Sequence, residues 1–146
     1  MILDHFGELN WLAIVVATVA WFAYSALWYL APLRAAWKRA AKVPEGQGPS
    51  SPGLVVSTLV LYFVTTVVIA LLVAAVGADD IPDGIALGVS LGVGFGLVSA
   101  LMAQQDLIYR LRQELYDQKG SSYWLISGVN AMVAWSIVAV ILALWD

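Results

Sequence analysis

The chain has 146 residues and no cysteine. That excludes a disulfide framework, a thiolate metal centre and a cysteine nucleophile. Its one histidine, His5, precedes the first apolar run, so the apolar segments hold no imidazole to ligate haem, chlorophyll or zinc or to relay protons. Charge is scarce too. Asp, Glu, Lys and Arg make up 12% of the residues, about half the roughly 25% of a soluble domain. A surface that poor in charge does not face water, which excludes an ordinary soluble domain and a disordered chain. The net charge is −3, and no basic patch interleaves with aromatics, so no nucleic-acid partner is expected.

What the chain has instead is apolar sequence, 62% of it, gathered into long runs. Four runs, 10–31, 53–76, 85–103 and 124–145, contain no Asp, Glu, Lys, Arg or His. Each approaches or exceeds the roughly 20 residues that cross about 30 Å of hydrocarbon as a helix. Being apolar around their whole circumference, they do not read as surface helices. They are also too continuous for the alternating strands of a barrel, the other structure that satisfies its backbone in lipid. The expectation is an all-α polytopic membrane protein, with a single four-helix transmembrane domain over 1–146. Residues 1–9 carry Asp4 and Glu8 but no Lys or Arg, unlike the basic start of a cleaved signal, so the first run is expected to remain in place.

The seven basic residues fall in two connecting segments: Arg34, Lys38, Arg39 and Lys42 in one, Arg110, Arg112 and Lys119 in the other. The positive-inside rule then puts 32–52 and 104–123 in the cytoplasm and both termini outside. Trp11 and Trp145 fall at the outer edge, Trp28, Tyr29, Tyr123 and Trp124 at the inner one, as headgroup-depth aromatics do. Beyond Pro32, a short basic amphipathic helix is expected to lie on the inner headgroups with Trp37 inserted. Arg34, Lys38, Arg39 and Lys42 either set topology alone or also dock an anionic lipid headgroup or an acidic partner loop. The segment 43–53, rich in Pro, Gly and Ser, reads as a linker. In 104–119, Leu107, Ile108, Leu111 and Leu115 recur at helical spacing without a breaker, predicting a cytoplasmic amphipathic extension of the third helix that packs on its own subunit or on a partner.

Inside the spans, small residues stand out. Gly84, Gly88, Gly92 and Gly96 recur every four residues, with Ser99 and Ala103 expected to extend the face, and Ala86, Ser90 and Gly94 form a second row roughly opposite. Small rows let helix backbones approach where lipid supplies no hydrophobic drive. Two rows imply a helix gripped from both sides, either by an intrachain neighbour and a second subunit or within a compact monomeric bundle, with Gly88, Gly92, Gly94, Gly96 and Ser90 at the contacts. Gly92→Leu is accordingly expected to disrupt assembly. Thr58, Tyr62, Thr65 and Thr66 line one flank of the second span, and Ser127 and Asn130 lie in the fourth. Hydroxyls can bond back to the preceding helical turn. Asn130 needs an interhelical partner and reads either as polar glue or as the lining of a solute path. Trp21 and Trp135 sit near mid-span, where an indole either fills the core or stacks on an apolar or pigment ligand.

No catalytic constellation accompanies these residues. Serines and threonines in the spans lack a base, ionisable groups for proton or voltage coupling are absent from them, and the glycines of the third span lack the lysine of a phosphate loop. An enzyme is not expected. No metal or cofactor is expected either, though bound lipid is admitted.

Asn10-Trp11-Leu12 opening the first span, Leu27-Trp28-Tyr29 with Pro32 closing it, Gly94-Phe95 in the third and Ala143-Leu144-Trp145 at the end resemble the domain of unknown function 1761 family of small bacterial four-helix membrane proteins. Gly128-Val129-Asn130 departs from that pattern, where a Gly-Tyr pair is commoner. The resemblance implies the four-helix architecture and a bacterial cytoplasmic membrane, and it carries over no site residues. The leading expectation is a non-catalytic membrane protein working by helix association, as a homo-oligomer or as an accessory subunit of a larger inner-membrane complex. A small oligomeric channel or carrier for a neutral or apolar solute, and a lipid- or pigment-binding scaffold, are the alternatives.

Overall fold

The computed structural model of the protein describes residues 2–30, 34–40, 52–102 and 123–145. A 3-10 helix, Ile2–Glu8, leads into α1, Trp11–Leu30; then follow α2, Arg34–Ala40, and α3, Pro52–Val76. The helix α4, Ile81–Met102, is α-helical over Ile81–Leu91 and π-helical over Gly92–Leu97, and α5 is Tyr123–Ala143. Among the described residues there is no strand. Four of these helices, α1, α3, α4 and α5, are long and apolar enough to cross a membrane. At 1.5 Å rise per residue the 20 residues of α1 span about 30 Å.

Local chemistry sets the ends. The Asn10 Oδ1 accepts from the Ala13 N–H at 3.2 Å and caps the start of α1. α3 stops at Gly77, whose φ of +67° is left-handed. There the Ala78 N–H donates to Val73 O at 3.1 Å and the Gly77 N–H to Ala74 O at 3.3 Å, the paired bonds of a glycine C-terminal cap. α4 begins four residues earlier than the sequence pattern predicts, at Ile81 rather than 85. Asp80 is its N-cap, accepting from the Asp83 N–H at 2.8 Å, and Pro82 occupies the first turn. The run Asp79-Asp80-Ile81-Pro82-Asp83 reads as a polar turn by composition, yet half of it is a helix start.

Three helices, α1, α3 and α5, pack against one another, and α5 is the common neighbour. Their shared core is Ala13, Ile14, Ala17 and Trp21 of α1, Ile69, Ala70 and Val73 of α3, and Ala134, Val138, Ala139 and Leu142 of α5. Alanines between the larger residues let the helices approach closely. α4 is different: among the described residues its packing within the subunit runs to α5, and α3 is not a substantial neighbour. The chain is therefore a three-helix core with a fourth helix leaning on α5.

The expected basic helix is present as α2. Its Trp37 ring stands 5.5 Å from Tyr29 of α1, Arg34 is exposed and Lys38 half-buried. The Arg39 side chain, Lys42, Pro32 and the extension expected over 104–119 lie outside the described residues.

Candidate functional site: a glycine seam and an open helix face

The seam between α4 and α5 is built on absent side chains. A Cβ at Gly84 would fall 2.7 Å from Val140 Cα, and at Gly88 it would enter the backbone of Ser136 and lie 2.7 Å from the carbonyl carbon of Trp135. At Gly92 it would strike the Met132 backbone, and at Gly96 it would meet Ala131 Cβ at 2.6 Å. The four glycines are buried. α5 answers with a glycine of its own, Gly128, where a Cβ would fall 2.5 Å from Leu97 Cδ1. Gly128 was not singled out from sequence as a packing residue, although its spacing from Met132 and Ser136 marks the same face.

The π-helical turn reduces the winding of this seam. Four residues of α-helix overshoot a full turn by about 40°, so an unbroken helix would carry Gly96 some 120° away from Gly84. A π turn holds about 4.4 residues and undershoots instead. The drift of about 80° from Gly84 to Gly92 is thus cut back by some 33° between Gly92 and Gly96, which leaves Gly96 about 47° from Gly84 in place of about 120°. The same slip moves the face onto Ala100, which is buried, and leaves Ser99 exposed. Ser99 therefore does not extend the glycine face, contrary to what unbroken α periodicity predicts.

The second row faces away. Ala86, Ser90 and Gly94 are exposed, and a Cβ at Gly94 would meet nothing within 4 Å. The Ser90 hydroxyl donates to Ala86 O at 2.7 Å, inside its own helix. Ala86 and Ser90 border a hollow of about 310 Å³ shared with Val76 and Ala78 at the end of α3. Val93 and Phe95 stand beside Gly94, the latter 64% exposed. The two rows are thus not equivalent within the subunit. Gly88, Gly92 and Gly96 are spent on α5, while Gly94 and Ser90 are exposed among the described residues.

The polar residues inside the spans gather on α1, α3 and α5. The Ser25 hydroxyl donates to the Asn130 Oδ1 across the α1–α5 contact at a long 3.4 Å, and both residues are buried. The Asn130 Nδ2 has no partner; nor do the Thr66 Oγ1, the Trp135 Nε1, the Tyr24 hydroxyl and the Trp28 Nε1, all buried. Each such group costs about 1–3 kcal/mol. Thr65 bonds back to Leu61 O at 2.9 Å, as Thr18 does to Ile14 O at 2.8 Å. Thr58 and Ser127 are half-buried. Trp21 lies flat on Tyr62, ring centres 4.0 Å apart and planes 5° from parallel, and meets Trp135 edge-on at 6.2 Å. These three rings join α1, α3 and α5 at mid-height, Trp21 stacked on Tyr62 and Trp135 edge-on to Trp21. Ile14, Thr66, Ile69 and Val138, each at most 2% exposed, fill the axis beside them.

The sequence profile of the family described as Protein of unknown function (DUF1761) matches residues 12–143. The chain belongs to that family. The match runs from the start of α1 to the end of α5, so the matched region takes in the glycine seam, the open row on α4 and the aromatic layer together. No curated protein and no solved structure matches the chain.

Proposed function

We propose that this DUF1761 protein is a non-catalytic multi-pass membrane protein that works by helix association, as a homo-oligomer or as an accessory subunit of a larger complex in the bacterial cytoplasmic membrane. One observation carries the reading. α4 is held on one side by the Gly84–Gly88–Gly92–Gly96 seam, while its other small-residue row, Ala86, Ser90 and Gly94, stands exposed among the described residues. Small rows in lipid are where helix backbones meet, and the hollow beside Ala86 and Ser90 gives an incoming helix room. Gly92 belongs to the intrachain seam, so Gly92→Leu strikes the fold before it strikes assembly; Gly94→Leu is the substitution aimed at association. All seven Lys and Arg lie in the two segments 34–42 and 110–119, which favours both of these facing the cytoplasm, with the termini outside. There Arg34, Lys38, Arg39 and Lys42 would meet anionic headgroups.

The native mass of protein extracted gently at endogenous level tests the reading. A discrete multiple of 15.7 kDa supports the homo-oligomer, and a larger particle containing other subunits supports the accessory role. A monomer contradicts both. A second reading, an oligomeric channel or carrier for a neutral solute, draws on the unpartnered Asn130 amide and Thr66 hydroxyl. Saturable solute flux in liposomes, lost in Asn130→Leu, would favour it over association alone.

A further inference from the structure

The end of the bundle away from α2 holds a cup of about 510 Å³, within the usual size range of small-molecule sites. The 3-10 helix, the start of α1, the Gly77 turn and the end of α5 enclose it. Ala13, Ala70 and Leu142 form its apolar floor. One step or one turn deeper, Ile14, Ile69 and Val138, at most 2% exposed, close it off, so the cup is blind. Its rim carries the carboxylates of Glu8 and Asp79, on two different elements, and the indole of Trp145.

Among the described residues, carboxylates dominate the charge at this end. Asp4, Glu8, Asp79, Asp80 and Asp83 are exposed here, and the seven Lys and Arg all lie in 34–42 and 110–119. Among the described residues, the one basic side chain nearby is His5, whose Nδ1 stands 3.2 Å from Glu8 Oε2. A concave site with low-dielectric walls concentrates the negative potential of its rim. An indole adds attraction for a cation over its face. The apolar floor has nothing to offer a hydrated metal ion, but it does accommodate methyl and methylene groups.

We infer that this cup binds an organic ammonium ion with an apolar body, its charge at the Glu8–Asp79–Trp145 rim and its alkyl part on the alanine floor. None of these residues belongs to the Ala86–Ser90–Gly94 row, so the cup stands apart from the association reading. The ammonium group has two sources: a soluble alkylammonium compound, or the amine headgroup of a membrane lipid.

Choline is the probe, titrated by saturation-transfer NMR onto the full chain in a neutral maltoside detergent, with 3,3-dimethylbutan-1-ol as its uncharged isostere. Choline is expected to bind saturably and at least about tenfold tighter than the alcohol. Trp145→Leu and the pair Glu8→Gln with Asp79→Asn are each expected to weaken choline by about tenfold while the circular dichroism stays unchanged. Displacement of choline by short-chain phosphatidylethanolamine but not by phosphatidylglycerol supports the site and makes a lipid amine its occupant. Displacement by neither supports a soluble ligand. Displacement by both lipids would overturn the inference in favour of an acyl-chain pocket, as would equal affinity for choline and the alcohol. Absence of saturable binding, or full affinity in both rim variants, would also overturn it. Displacement by calcium ion with full choline affinity in Trp145→Leu would place the binding on the exposed Asp79–Asp80–Asp83 turn and overturn it too.

Discussion

The two faces of α4 carry the same kind of residue at the same spacing and end in opposite situations. Gly84, Gly88, Gly92 and Gly96 are buried against α5 so closely that a Cβ at any of them would collide with it. Ala86, Ser90 and Gly94, only two residues out of phase, stand exposed, and Gly94 has open space around it. Spacing alone therefore marks where a helix can be approached closely and does not say by what. Within the subunit α5 occupies the first face, and we propose that another chain occupies the second.

Substitutions on the two faces are expected to act on different properties of the protein. The largest effect is expected at Gly88, where any side chain enters the Ser136 backbone. Gly88→Leu should cost more than about 3 kcal/mol of subunit stability, beyond the usual overpacking range, because backbone cannot yield as a side-chain tip does. Thermal unfolding in detergent reads it, and a wild-type melt would show that α4 does not rest on α5 through this seam. Next comes Gly94→Leu. The subunit should melt within about 0.5 kcal/mol of wild type, as surface changes do, while self- or partner association in a bilayer weakens by about tenfold or more, some 1.4 kcal/mol. Loss of subunit stability instead would make the open face structural. Asn130→Ala acts on the α1–α5 contact, removing the bond from Ser25 along with an unpartnered N–H. Its cost should be about 0.6 kcal/mol and no more than about 2, the range for intramembrane polar contacts. A gain in stability would instead mean that the orphaned amide outweighs its bond. Smallest is Ser90→Ala, whose hydroxyl already bonds within its own helix. It should change both subunit stability and association by only a few tenths of a kcal/mol, and an effect as large as that of Gly94→Leu would give that hydroxyl an intersubunit bond.

Much of the architecture was legible in the sequence, because a long uncharged run has one way to satisfy its backbone in lipid. The four apolar helices and the α2 helix appear within a few residues of where the pattern puts them, apart from the start of α4. That start was missed because Asp80 and Pro82 are turn formers and helix starters alike, and only the Asp83 N–H bond to Asp80 decides between them. The glycine seam was legible as a period of four. The π turn was not, since every spacing rule assumes 3.6 residues per turn, and so Ser99 was placed on a face that Ala100 occupies. Gly128 escaped notice as a lone glycine, and its role depends on Leu97 of another helix. The blind cup is a product of three stretches distant in sequence, 8–13, 70–79 and 142–145, which no local pattern announces. Its rim residues carried signals of their own only as a headgroup-depth tryptophan and as scattered acids.

The most direct test of the account places fluorescently labelled wild-type protein and Gly94→Leu at equal low density in lipid vesicles and counts subunits per particle by single-molecule photobleaching, with the subunit melt of each measured in parallel. For self-association, the account predicts more than one bleaching step per wild-type particle, a shift to single steps in Gly94→Leu, and superimposable melts. Multi-step particles unchanged by Gly94→Leu would contradict the open face of α4 as the site of association.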